Sequence, residues 1–309
     1  MNLAPIALFV YKRPWHTRQT VEALKVNLLA EWSDLIIFSD GPKNDREMAE
    51  VTEVRRYIRS IKGFESLRII EREENCGLSR SIISGVTQVI GEYGRLVVLE
   101  DDLICSPYFL RFMNEALAYY ETDERVISIH AYVFPARGDL PENFFMRGAD
   151  CWGWATWKRG WDLFEHDGTK LLSQLSKQNL IERFDMDGTF PYTQMLRNQV
   201  AGKNDSWAIR WHASAFLADK LTLHTGKPLV RNIGLDATGV HCGMSHAFDV
   251  KLSEHPISVG NIPIAENLHA RELIKVFFQS MRPSLAGRAR MFLQNFLRAR
   301  SRMNRGRSL

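Results

Sequence analysis

The feature that most constrains this chain is a repeated alternation of short apolar runs with stretches of helical periodicity. Residues 6–11 form a β-rich apolar run, and Pro14 opens a helical stretch to about residue 30. Residues 34–39 (DLIIFS) make a second strand, closed by the turn signal Asp40-Gly41-Pro42. Met48, Val51, Val54, Ile58 and Ile61 repeat at helical spacing before Gly63 stops the pattern. Residues 67–70, 95–99 and 126–130 read as further strands, and 78–93 and 107–120 as further helices. Strands alternating with helices predict an α/β fold: a mostly parallel central sheet flanked by helices on both faces.

Such sheets bind ligands beyond the carboxyl ends of their strands. Four polar turns fall there: Lys12-Arg13, Ser39-Asp40-Gly41, residues 75–80, and the run Glu100, Asp101, Asp102. They are expected to converge on one crevice. No G-x-G-x-x-G follows the first strand, which argues against a dinucleotide-binding dehydrogenase.

The acidic run is the sharpest motif. Three adjacent carboxylates at the end of an apolar strand repel one another and are costly to desolvate without a cation. Hard oxygen ligands suit Mg²⁺ or Mn²⁺ completed by substrate phosphates. The competing reading is a solvated turn leading to the helix near Pro107. In residues 75–82 (NCGLSRSI), Gly77 permits close backbone approach, the helix N-terminus favours phosphate, and Arg80 adds a cation. Plain capping by Ser79 explains the same residues. Tyr11, Lys12, Arg13 and Asp40 are candidates to hold a base and ribose, or else ordinary turn residues.

The second half is less regular. Residues 151–161 (CWGWATWKRGW) carry four tryptophans, Trp152 and Trp154 among them, with Gly153 and Gly160 between the rings. A core is one reading; the glycines favour a loop walling a sugar site. Asp205 precedes Trp207 and a helix over 206–220, so it is a general-base or a helix-cap candidate, and spacing alone favours the cap. Residues 228–232 suit a strand, and 235–244 a glycine-rich loop in which His241 is a candidate metal or phosphate ligand.

Taken in order, the strand ending in Tyr-x-Arg-Pro, then SDGP, NxGLSxS and strand-EDD resemble GT-A glycosyltransferases, in particular the N-acetylglucosaminyltransferase I-like branch. CWGWATW and DSWAIRW resemble segments of bacterial family 2-like polysaccharide transferases. The resemblance covers about residues 4–245. It implies a GT-A, Rossmann-like domain over 1–245, with a donor half to about 135 and an acceptor half over 136–245. By analogy it implies metal-dependent, inverting chemistry: transfer of a sugar, usually UDP-linked, to a glycan or lipid-linked acceptor in bacterial surface polysaccharide or glycolipid synthesis. By this resemblance Tyr11, Arg13 and Asp40 lie near the base and ribose, and Asn75, Gly77 and Arg80 form the turn facing the donor. Glu100 and Asp101 line the donor site, with Asp101 near ribose or sugar, and Asp102 holds Mn²⁺ or Mg²⁺. Asp205 falls where inverting relatives carry the base, which lifts it above its cap reading. Trp152, Trp154 and Trp207 are expected sugar contacts. The Golgi relatives carry an anchor and stem; this chain is expected to carry neither.

Residues 246–309 match nothing in that pattern. Eight arginines and no acid fall in residues 281–309, against +4 for the whole chain, so the rest carries about −4. Leu273, Val276, Phe277, Met291, Phe292, Phe296 and Leu297 recur at helical spacing among basic residues. A basic amphipathic helix on an anionic membrane surface fits, placing the protein in the cytoplasm on the inner face of the membrane. A solubilising tail or an oligomer contact are the plainer readings. Nucleic acid is disfavoured, since the body is acidic and no such motif appears. The opening run lacks a basic n-region and cleavage site, so it reads as a strand. No run approaches the roughly 20 apolar residues of a membrane span. Cys76, Cys105, Cys151 and Cys242 show no zinc or C-x-x-C spacing and are expected to be reduced thiols. Two other functions remain in competition: a nucleotidyltransferase acting on sugar phosphates, and a non-catalytic carbohydrate or membrane-surface binding protein.

Overall fold

A computed structural model describes residues 3–236 and 246–281. Eight strands form one sheet in the order β3-β2-β1-β4-β8-β6-β9-β7. They are β1 (Ile6–Val10), β2 (Asp34–Ser39), β3 (Ser66–Glu71), β4 (Arg95–Glu100), β6 (Val126–His130), β7 (Asn143–Arg147), β8 (Trp154–Trp157) and β9 (Leu221–Thr225). A two-stranded antiparallel ribbon joins β5 (Leu103–Cys105) to β10 (Val230–Asn232). The pairs β3–β2, β2–β1, β1–β4 and β6–β9 are parallel, while β8 runs antiparallel to both β4 and β6 and β7 antiparallel to β9. Six strands therefore point the same way, and their carboxyl ends share one edge.

Strand alternation explains why the first four strands read as unbroken apolar runs. Ile6, Leu8, Val10, Leu35, Ile37, Val97 and Leu99 face one core, while Ala7, Phe9, Ile36, Phe38, Leu96 and Val98 face another. The first face is covered by α1 (Pro14–Lys25), α2 (Met48–Ile58) and α4 (Phe109–Tyr119), through Leu24, Val54 and Phe112. The second is covered by α3 (Leu78–Tyr93), the short α5 (Lys158–Trp161) and α9 (Trp207–Leu217). Between α5 and α9 run α6 (Gly168–Lys177), α7 (Ile181–Phe184) and α8 (Tyr192–Val200), which pack on α9 around Leu175, Phe184 and Phe216.

Two expectations change here. The CWGWATW run is not a loop: Trp154 opens the central strand β8 and is fully buried, with Trp161, Trp207 and Trp211 centred 5.4–5.9 Å from one another or from it. Large rings fill the space where α3, α5 and α9 meet one sheet face, so Trp154 and Trp207 offer no surface to a sugar. Trp152 is half-buried instead, edge-on to Tyr132 at 4.7 Å.

The second concerns the carboxyl-terminal segment. Residues 246–281 pack on the body: Ile257 enters the first core, and Asn267 N–H donates to Phe145 O at 2.8 Å. Helix α10 (Leu268–Ser280) buries Ala270, Ile274 and Phe278 against Phe144 and Met146 of β7. Arg271 and Lys275 pair with Asp187 at 2.7 and 3.4 Å. The apolar stripe of this helix thus faces protein rather than lipid, leaving Val276 exposed and Leu273 and Phe277 half-buried. Met291, Phe292, Phe296, Leu297 and the tail arginines lie outside the described residues. No described helix is long and apolar enough to cross a membrane.

Candidate functional site

The acidic run sits where β4 leaves the sheet, at the shared carboxyl edge. Arg13 is the residue that meets it. Pro14 follows Arg13 and confines it to an extended backbone, with φ −113° and ψ 80°. Its carbonyl accepts from the Thr17 N–H and hydroxyl, both at 2.9 Å. Anchored in this way, Arg13 Nη2 donates to Asp101 Oδ1 and, at 2.9 Å, to Asp102 Oδ2. Asp101 is buried, and its carbonyl accepts from Thr20 Oγ1 at 2.8 Å. Asp102 O accepts from Ile233 N–H at 2.8 Å, which brings the segment after β10 over the carboxylates. Gly234 is required at that crossing, because a Cβ there would lie 2.0 Å from Asp102 Oδ2 and 2.9 Å from Arg13 Nη1. His16 Nε2 and Asp236 Oδ2, 3.1 Å apart, complete this group.

Electrostatics match the geometry. Burial raises the Glu100 carboxyl to about 8, and the charges of Asp102 and Asp101 add to the effect. Burial also raises Asp101, opposed by Arg13. For Arg13, burial works against the charge, but Asp101 and Asp102 outweigh it and hold the guanidinium above its ordinary range. The run carries three potential charges and meets one resident cation.

Asp40 does something other than expected. Its Oδ1 accepts from the N–H groups of Gly41 and Cys76, and its Oδ2 from Gly77 N–H and Asn75 Nδ2, all at 3.0 Å. A carboxylate offers about four lone-pair sites. Asp40 is therefore fully engaged in shaping the turn before α3 and has none left for a ribose hydroxyl. Asn75, by donating also to Gly41 O at 3.0 Å, is part of the same clamp. Gly77 precedes α3 with φ 78° and ψ 158°, a conformation essentially reserved for glycine. Arg80 is exposed in the first turn of α3.

Tyr11 and Lys12 are turned towards the loop after β2. The Tyr11 hydroxyl donates to Glu47 and accepts from Lys43 N–H at 3.1 Å, and Lys12 pairs with Glu47 at 2.5 Å. Burial, with Glu47 accepting its proton, raises the Tyr11 pKa. The Tyr11 side chain thus serves this loop, while its backbone hydrogen-bonds to the Asp101 carboxylate that Arg13 also meets.

Asp205 does not cap α9. Ser206 does, accepting from Ile209 N–H at 3.3 Å. The Asp205 side chain is 70% exposed and receives Arg210 Nη2 at 3.2 Å. Arg210 is itself buried, donating to Ser79 Oγ (2.7 Å), Ser206 O (3.2 Å) and His166 O (3.2 Å). One arginine therefore ties the exposed carboxylate to the first turn of α3.

A second polar group lies at the ends of β6 and β9. Trp152 N–H points at His130 Nε2 at 3.3 Å, and His130 Nδ1 and His224 Nδ1 lie 3.2 Å apart. Burial lowers both rings to about 3, the His130 charge adding to the shift at His224. Asp150, whose Oδ1 stands 3.9 Å from His130 Nε2, is raised by burial.

Of the four turns expected to share one crevice, two meet in Arg13, Asp101 and Asp102, and the other two meet separately, Asp40 with Asn75, Cys76 and Gly77. His16, Gly234, Asp236, Arg210, Asp150, His130 and His224 were not among the expected residues. Of these, Arg210 carried a signal, a basic residue five positions after Asp205 on a helix that otherwise reads as core. His241 lies outside the described residues. A cleft of about 440 Å³ beside β5 and β10, lined by Tyr108, Arg231, Lys251 and Glu254, shares no residue with this edge, and its Lys251 and Glu254 pair with each other at 2.8 Å.

Among the described residues no three His, Cys, Asp or Glu side chains converge as a metal cage. Mg²⁺ and Mn²⁺ need none, since one or two carboxylates plus substrate phosphates complete their shell. Asp102, whose carboxylate is 16% exposed beneath the Gly234 crossing, fits that arrangement.

No protein-family model matches the chain, and no curated protein matches it. Crystal structures of S. aureus TarS, of TarS 1–349 and of TarS 1–349 in complex with UDP match with a TM-score of 0.31 each. Identity is 13%, 12% and 12%, over 48% of this chain and 25%, 41% and 41% of theirs. The chain thus spans less than half the length of the structures it matches, and a likeness of that extent decides nothing about activity.

Proposed function

We propose that this protein transfers a sugar from a nucleotide sugar, UDP-linked, to a hydroxyl of a glycan or lipid-linked acceptor, with inversion. The observation that carries the reading is the acidic run at the carboxyl end of β4, paired to Arg13 and roofed by Gly234, on the edge where six co-directional strands end. Ligands of open α/β sheets bind there. A catalytic acid cluster is also where burial shifts carboxyl groups most.

In this reading Asp102 would hold Mn²⁺ or Mg²⁺, which when bound would supply charge neutralisation for the departing UDP. The chain's own residues do the rest. The turn shaped by Asp40 presents the first N–H groups of α3, which lack intrahelical partners, and Arg80 to the donor. Asp205 accepts the proton of the acceptor hydroxyl as its oxygen bonds to the anomeric carbon. The bond from that carbon to the diphosphate oxygen breaks, and its electron pair leaves with UDP. Arg210 fixes Asp205 relative to α3 and so to the donor. Trp152, half-buried beside Tyr132, is the remaining aromatic candidate for an acceptor sugar. The arginine-rich residues 282–309 are proposed to hold the protein on the anionic inner face of the membrane; truncation after residue 281 should then release it from anionic vesicles, and undiminished binding would remove that part.

Thermal-shift titration with Mn²⁺ and UDP tests the core of the proposal. Joint addition should stabilise the protein more than the two separate shifts combined. Stabilisation by neither ligand would favour a non-catalytic binding protein.

A further inference from the structure

The contact between Arg13 and Asp102 has a consequence for how ligands enter. Arg13 Nη2 is shared between Asp101 Oδ1 and Asp102 Oδ2, the latter at 2.9 Å. The backbone of Arg13 is fixed while its guanidinium lies under the crossing chain. Pro14 restricts its backbone, Thr17 donates twice to its carbonyl, and the chain at Gly234 passes close enough that a Cβ would touch Nη1. Its side chain is 19% exposed, and those of Asp101 and Asp102 are 6% and 16% exposed. A cation is thus already seated on one oxygen of the carboxylate that a divalent ion would use. Two cations on one carboxylate repel, and the repulsion is weakly screened where water is scarce.

A nucleoside diphosphate changes this balance. Arginine pairs with phosphate oxygens as readily as with carboxylates, through a planar fork that suits both. It would give Arg13 an anionic partner other than Asp101 and Asp102 at the same edge and would itself complete the shell of a divalent ion.

We propose that Arg13 is a gate for the metal: it occupies the Asp101 and Asp102 carboxylates in the donor-free protein and yields them when a nucleoside diphosphate arrives. Divalent metal and nucleotide then bind interdependently, each strengthening the other by the same factor, as linkage requires. Arg13 is a positioning residue in this role, acting through Asp102. The inference rests on the metal-dependent reading above and adds to it a specific origin for the metal–nucleotide coupling.

Calorimetric titration with MnCl₂, in the presence and absence of UDP, tests the gate on the full chain. For the unaltered protein, Mn²⁺ should bind weakly alone and at least tenfold more tightly with UDP. Arg13→Gln should bind Mn²⁺ without UDP at least tenfold more tightly than the unaltered protein, and the enhancement by UDP should shrink. A merely structural arginine would not yield a gain in metal affinity on removal. Because Arg13→Gln leaves two crowded carboxylates without their cation, circular dichroism should accompany it. If it misfolds, the double variant Arg13→Gln/Asp101→Asn, which removes one charge of each sign, is judged by the same criterion. Mn²⁺ affinity unchanged or lowered in the folded variant overturns the gate while leaving the metal reading standing. Absence of Mn²⁺ binding to every protein, with and without UDP, overturns the metal reading and the gate together.

Discussion

Arg210 donates to Ser79 Oγ at 2.7 Å, joining α9 to the first turn of α3 across 131 positions of sequence. The same Nη2 reaches Asp205 Oδ1 at 3.2 Å. The exposed carboxylate proposed as base is therefore tied to the first turn of α3 by a single buried side chain.

Asp205→Asn should lower kcat by about 10²–10⁴-fold, the range for loss of a general base. Stability should move by no more than about 0.5 kcal/mol, because the side chain is largely exposed. Steady-state kinetics with denaturant unfolding separates these. Undiminished kcat would reassign the base. Arg210→Met, in contrast, should lower both kcat and stability, the latter by about 1–3 kcal/mol, since Ser79 and two carbonyls lose a buried partner.

Asp40 accepts four hydrogen bonds, one from Gly41 and three from the turn before α3, and its replacement should be felt in that turn first. In Asp40→Asn one oxygen becomes an NH₂ group facing two donors, whichever way the amide is turned. The expected cost is about 2–3 kcal/mol in urea unfolding. A variant as stable as the parent would mean that the clamp contributes little and would reopen a ligand role for Asp40.

The tryptophans make a contrasting case. Trp154→Phe should reduce stability by about 1–3 kcal/mol and leave KM for the acceptor unchanged, because the ring lies in the core against Trp161, Trp207 and Trp211. Trp152→Ala should raise KM if its half-buried ring meets a sugar. A raised KM in Trp154→Phe alone would contradict the core assignment.

Acid stability should report the His130–His224 pair. Both rings have folded pKa values of about 3, below the 6.5 of an exposed histidine, so the unfolded chain binds more protons in this range. Their contribution is fully present above pH 6.5 and is lost as pH falls towards 3. The variant His130→Gln/His224→Gln should show a shallower fall in stability between those values, whatever its absolute stability. An unchanged slope would show that the rings are protonated in the folded protein.

What the sequence conveyed followed from local physics. Alternation along residues 6–10, 34–39 and 95–100 reveals strands covered on both faces, and the break to Glu100, Asp101 and Asp102 marks where β4 leaves the sheet. The Arg13-Pro14 step and Gly77 also show their backbone roles in one dimension. Trp154 did not, because an aromatic run flanked by glycines looks alike in a site wall and in an antiparallel strand; its pairing with Val98 and His130 decides it. Residues 268–280 likewise show an amphipathic stripe without saying that Phe144 and Met146 will cover it. The Asp40 clamp and the bond from Arg210 to Ser79 join positions distant in sequence, and no local pattern announces those partners.

The central claim is that Asp102 serves sugar transfer from a UDP-linked donor with a divalent ion. It is tested most directly by UDP release from a panel of UDP-sugars with Mn²⁺, with EDTA, and in Asp102→Asn. The account predicts release from at least one sugar, abolished by EDTA and reduced at least 10²-fold in Asp102→Asn, with the fold retained. Release that is undiminished by both EDTA and Asp102→Asn would contradict it.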